Sequence, residues 1–177
     1  MDEKYFREYD ELQGLLIGAY IDAIILNRLY EYSDKDIKNN DLLFLNHIKE
    51  LCTDDLVLSL TKMYEKGKSN TIEKLNNYVQ KQCQQKGIIA PKNKINLGKE
   101  QEEIFDRIIH IRNKKVAHNS YGKADIVVDY REMYDLLEHM RNMLNTLCVK
   151  ELDDRVNFAN DELLTMLRQA VISNSFI

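Results

Sequence analysis

Between Tyr5 and Tyr30 the apolar residues return every three or four positions: Tyr5, Tyr9, Leu12, Leu16, Ala19, Ala23, Leu26 and Tyr30. That is the repeat of an α-helix, and it leaves one continuous stripe that must be buried against something else. The spacing predicts a helix over residues 3–32, about 45 Å long at 1.5 Å per residue. Such a helix cannot bury its stripe alone, so the rest of the chain must supply partners. Breakers are scarce: one proline, Pro91, and six glycines in 177 residues. The partners are therefore helices as well.

Punctuation marks where they fall. The run "SDKDIKNND" ends the first helix. Asn40 or Asp41 can cap a short helix through "LLFLNHIKELC", and "TDD" at residues 53–55 reads as the start of another that ends near Gly67. Asn70 with Glu73 three places later has the pattern of a capping box. Gly87 stops that helix, and "GIIAPKNKINLG" is the one long loop. A helix then runs from about Lys99 to His118. Another begins near Asp129, with the stripe Tyr130, Met133, Leu137, Met140, Leu144, Leu147 and Cys148. A last short helix follows a break at Asn157 to Asn160. Repeats and low-complexity tracts are absent, and "DIVVDY" is the only β-leaning run. The expected fold is an all-α bundle forming one domain over residues 1–177.

Composition removes several classes of function. The longest apolar run, "LLIGAYIDAIIL" from Leu15 to Leu26, is short for a membrane span and carries Asp22. Gly14 and Gly18 within the first helix suit close helix packing, in a core or in a dimer. The first residues, "MDEKYFREYDE", lack the basic start of a secretory signal. Cys52, Cys83 and Cys148 are odd in number, far apart and without a CxxC pair, so they read as reduced, mostly buried thiols of a cytoplasmic protein. Net charge is −4, which excludes a generic nucleic-acid binder. The charge is uneven, however. Ten basic and four acidic residues between Lys81 and Lys123 give +6, leaving −10 for the remainder. Such a segment is either a solvated lysine-rich surface or a place where a polyanion docks.

Within that segment lies "HIRNKKVAHNSYG", His110 to Gly122. On a helical wheel with Ile104 at zero, Ile108 falls near about 40°, Phe105 near about 100° and Ile109 near about 140°. Ile111 and Val116 extend the apolar arc. Arg112 falls near about 80°, in the middle of it. An inward arginine needs its charge paired and its donors satisfied. The partner is a carboxylate of the bundle, a group across a dimer, or an anionic ligand such as phosphate. His118, six residues on, diverges from Arg112 by about 120° on an unbroken helix. The two can still meet if the helix ends near Ala117 or His118, or if two chains build the site. A histidine that moves a proton beside a guanidinium that stabilises charge on phosphorus is a pair suited to a phosphodiester.

The stretch "RNKKVAHN" resembles the signature of HEPN-domain proteins, an arginine and a histidine separated by four to six residues with a polar residue after the arginine. Five residues intervene here, and Asn113 is the polar neighbour. The runs "DDLVLSLTKMYEKGKSNTIEKLNNYV" (residues 54–79) and "DYREMYDLLEHMRNML" (129–144) extend the likeness to the abortive-infection AbiU-type branch over roughly residues 40–150. The resemblance implies an up-and-down HEPN-like bundle, here with additional N- and C-terminal helices. It implies a homodimer whose two motifs meet at a cleft, and a metal-independent endoribonuclease of phage defence or a toxin–antitoxin system. Carried over, Arg112 and His118 are the catalytic pair and Asn113 supports them. Lys114, Lys115, Asn119 and Tyr121 flank them as candidate RNA-binding residues. Some relatives pair with a nucleotidyltransferase antitoxin that modifies a tyrosine two residues after the histidine. Ser120 holds that place here and Tyr121 comes one later, a departure from the pattern. Other HEPN domains are non-catalytic modules that bind a protein or nucleic acid, which is the alternative reading.

The remaining candidates are weaker. His110 and His118, eight residues apart without a third ligand, make a poor metal site, and the expectation is no metal and no cofactor. His139 lies opposite its helix's stripe. His47 has no nameable partner. The ten tyrosines fall mostly on apolar stripes and read as core rather than as base-stacking platforms.

Overall fold

The computed structural model describes residues 1–31, 39–65, 71–91, 95–118, 128–156 and 161–172. Six helices follow in order: α1 (Glu3–Glu31), α2 (Asn39–Tyr64), α3 (Ile72–Lys86), α4 (Lys99–His118), α5 (Tyr130–Thr146) and α6 (Asp161–Ile172). No strand occurs among the described residues. The all-α fold is the one the periodicity demanded, and residues 125–127 of the β-leaning run lie outside the described residues.

α1 is the helix around which the others assemble. It packs against α2, α3, α5 and α6, and α4 bridges α2 and α5. Its stripe is buried as the spacing requires: Tyr5, Leu12, Leu16, Ala19 and Ala23 have no exposure, and Tyr9 and Leu26 almost none. Each such leucine stabilises the fold by roughly 1.5–3 kcal/mol relative to an exposed one. The stretch Glu3–Leu29 is long and apolar enough to cross a membrane by length and composition. Here its buried face is the core of the bundle.

Several of the described tyrosines are core residues, and the hydroxyls of Tyr5, Tyr20 and Tyr130 find partners. Tyr5 Oη donates to the Leu147 carbonyl at 2.6 Å and accepts the Val149 N–H at 2.7 Å, which ties α1 to the segment after α5. Tyr130 Oη donates to the Ala23 carbonyl at 2.7 Å, and Tyr20 Oη donates to Glu138. Burial pushes the Tyr5, Tyr20 and Tyr130 hydroxyls well above the usual phenol range.

Three boundaries differ from the sequence reading, the first being that α2 begins at Asn39, so Asn40 and Asp41 lie within it instead of capping it. Residues 53–55 do not start a helix, because α2 runs unbroken through them. Thr53 Oγ1 donates to the Lys49 carbonyl at 2.7 Å, one turn back, instead of capping a new N-terminus. The stripe Ile48, Cys52, Leu56, Leu60 and Met63 continues across the polar triplet, and its burial outweighs the local turn preference. The N-cap of α3 is Thr71, whose side chain accepts the Lys74 N–H at 3.4 Å. Asn70, the expected cap, lies outside the described residues.

Other boundaries follow the expected chemistry. Gly87 ends α3 at φ 67°, a left-handed conformation that suits glycine. The Ile88 N–H reaches the Cys83 carbonyl at 2.9 Å, closing the helix in a Schellman motif. Asp129 and Glu132 form a reciprocal capping box at the start of α5.

Candidate site around Arg112

α4 is positioned from both sides. Ile104, Phe105 and Ile108 are buried, and Phe105 meets Tyr64 of α2 edge to face, with ring centroids 5.4 Å apart. Tyr64 Oη accepts the Leu97 N–H at 3.0 Å, fastening the 95–98 loop over the same contact. Toward α5, the Arg107 guanidinium grips both oxygens of Glu132 at 3.1 and 2.7 Å. That bond is the main cause holding the Glu132 carboxyl below its usual range.

Arg112 lies four residues after Ile108 and seven after Phe105, so it shares their face and points at the end of α2. Its side chain is 19% exposed. The partner there is Glu65, the residue after the last of α2, with a side chain also 19% exposed. Nη1 donates to Glu65 Oε2, and Nη2 donates to Oε1 at 3.0 Å. Asn113 Oδ1 accepts from Nε at 3.2 Å and from Nη2 at 2.8 Å. A carboxylate of the bundle, one of the three kinds of partner expected for an inward arginine, meets it here. The geometry also explains Glu65. A carboxylate at a helix C-terminus faces the negative end of the dipole, and a guanidinium offsets that.

Beside the pair is a cavity of about 350 Å³ between α2, the 95–98 loop and α4. Tyr64, Leu97, Phe105 and Ile109 form its apolar wall, and Glu65, Glu102 and Asp106 line it with carboxylates. Among the described residues no group of three or more His, Cys, Asp or Glu side chains could hold a metal ion.

α4 remains helical to its last residue, His118. On a continuous helix that residue stands about 9 Å along the axis from Arg112 and about 120° around it. The side chains of Lys115 and His118, and the whole of Asn119 and Tyr121, lie outside the described residues. Asn113 is exposed, and Lys114 is half-buried. Thus the structure brings together Arg112 and Asn113 with one residue that sequence reasoning missed, Glu65. Glu65 is 47 positions from Arg112, and no local spacing connects them. Its only sequence signal is its place at the end of the apolar stripe of α2.

The other titratable candidates stand apart. His47 and His110 are exposed, and His139 is half-buried with Nε2 3.4 Å from the Asn96 carbonyl oxygen. All three cysteines are free, with Cys52 and Cys83 buried.

No curated protein and no solved structure matches the chain. One family model does, HEPN_AbiU2, described as AbiU2, and it covers residues 3–171. That match embraces all of the core helices and most of α6, including the helix that carries Arg112 and His118. On that extent the chain belongs to the AbiU2 family of HEPN domains.

Proposed function

We propose that this protein is a HEPN-type endoribonuclease of a phage-defence or toxin–antitoxin system, acting on RNA without a metal. One observation carries the reading. In a chain of this family, the arginine of an intact arginine–histidine motif is held in a fixed fork by Glu65 and Asn113, on the helix that His118 ends. In the reaction His118 takes the proton of a ribose 2′-hydroxyl. The oxygen attacks phosphorus, and the bond to the 5′-oxygen breaks. The 5′-oxygen leaves with a proton, and a 2′,3′-cyclic phosphate remains. Arg112 binds the phosphate and offsets the charge that grows on it. Lys114, Lys115 and Asn119 hold the backbone on either side, and Tyr121 takes a base.

The working form is a homodimer. Five residues of continuous helix separate the two motif residues within a chain, and a second copy supplies His118 to the first copy's Arg112. An antitoxin, of the nucleotidyltransferase or another type, is the further partner. The test is labelled RNA incubated with wild type, Arg112→Ala and His118→Ala in EDTA. Cleavage by the wild type alone supports the reading. Equal, intact RNA with all three across a wide range of conditions refutes it.

The Arg112–Glu65 pair itself favours a second reading, a non-catalytic module in which the arginine is a structural ion. That reading predicts no cleavage, together with a clear loss of stability in Arg112→Ala.

A further inference from the structure

The Arg112 guanidinium has two recognition edges, and both are occupied in the free chain. The Nη1/Nη2 end faces the two oxygens of Glu65. The Nε/Nη2 side converges on a single oxygen, Asn113 Oδ1. A phosphodiester needs one of these edges, because it accepts two parallel N–H bonds as a carboxylate does. The occupants differ in how readily they yield. Glu65 is charged, binds through two oxygens and is largely withdrawn from water. Asn113 is neutral, offers one oxygen and is exposed. Both sets of bonds are assisted by the guanidinium charge, but only Glu65 adds an opposite charge and two parallel bonds, one to each oxygen. An exposed amide also exchanges its partner for water at little loss.

We propose that Glu65 is a positioning residue that holds Arg112 by its Nη1/Nη2 end, and that the Nε/Nη2 edge, covered by Asn113 in the free chain, receives the RNA phosphate. The inference rests on the reading of Arg112 as the phosphate-binding residue. When Asn113 rotates off that edge, its Nδ2 becomes a donor to the same phosphate. Glu65 stays in place. It stands at the end of α2, a rigid element, so it fixes the plane of the fork against α4.

The test uses the full chain and an RNA oligonucleotide methylated at every 2′-oxygen, which binds without an attacking hydroxyl. Cleavage of the unmodified RNA is followed in parallel, with melting temperature as the check on folding. Glu65→Gln is expected to weaken binding at least fivefold and to slow cleavage. It should do nothing further in an Arg112→Ala background. Asn113→Asp, which places a charge on the receiving edge, should weaken binding at least tenfold, and Asn113→Ala less than threefold. Tighter binding by Glu65→Gln overturns the proposal, since Glu65 would then be the group that phosphate displaces. An effect that persists without Arg112 overturns it too, because Glu65 would be acting through the fold.

Nitrogen-15 spectra of the Arg112 side chain read the hold without RNA. Restricted guanidinium rotation in the wild type, released in Glu65→Gln, is expected. Free rotation in the wild type refutes the hold. A wild type that neither binds nor cuts RNA removes the functional reading, while the spectra still decide on Glu65.

Discussion

Asp22 is the polar residue inside "LLIGAYIDAIIL", and the fold gives it an unfavourable setting. It is half-buried on α1, where α1 meets Cys52 and Asp55 of α2. Burial, and then the nearby Asp55 charge, push its carboxyl up to about 6, against a partly opposing hydrogen bond with Cys52. A carboxyl raised in the folded state makes folding easiest when it is protonated. Its contribution is therefore complete below the unfolded value near ~3.9 and is lost as pH rises through about 6. The gap corresponds to about 3 kcal/mol for a fully buried group, and water reaching a half-buried one reduces this to ~1–2 kcal/mol. Asn is nearly isosteric and never ionises. Asp22→Asn should thus match wild type at pH 4 and exceed it by ~1–2 kcal/mol at pH 7.5. In a chain of this size that is a rise in Tm of about 2–8 °C. Urea or thermal unfolding of both proteins at the two pH values measures it. The difference between them cancels the other carboxylates, including Asp153, which Arg155 holds well below its usual range and whose pH dependence has the opposite sign. A difference that does not change with pH, or a destabilised variant at pH 7.5, refutes the reasoning.

Three further outcomes are expected. Leu16→Ala, at a position of no exposure on the central helix, should lower stability by ~2–5 kcal/mol in denaturant unfolding. Asp129→Ala removes the α5 capping box and its bond to the Arg131 N–H and should cost about 0.5–2 kcal/mol, whereas Asp129→Gly should cost only about a few tenths, both read by denaturant unfolding. Arg112→Ala and His118→Ala proteins, each inactive alone, should regain cleavage when mixed under conditions that exchange subunits. Strict inactivity of the exchanged mixture argues for a site built within one chain.

The sequence carried the fold wherever burial and local chemistry agreed. The stripe of α1, the span of α4 and the cap of α5 are readable because three- and four-residue spacing coincides with the buried face. The same spacing turned Arg112 inward, since Ile108 and Phe105 lie one and two turns before it. At Thr53 the local chemistry is ambiguous. Its hydroxyl can cap a helix or bond one turn back, and only the packing of Cys52 and Leu56 against α1 decides between them. Glu65 shows a deeper limit. That Arg112 needs an anion follows from the wheel, but which anion follows from how the end of α2 crosses α4, a tertiary fact without a local signature. His118 is named by the motif, and its role rests on the family resemblance.

The central claim is that Arg112 and His118 cut RNA through the ribose 2′-hydroxyl. End-group analysis of the products, made in EDTA on an RNA and on the same RNA with a single 2′-deoxy residue at the cleaved step, tests it most directly. The account predicts 2′,3′-cyclic phosphate and 5′-hydroxyl ends, no cleavage at the deoxy step, and none by His118→Ala. Ends bearing 3′-hydroxyl and 5′-phosphate, or a cut at the deoxy step, contradict it.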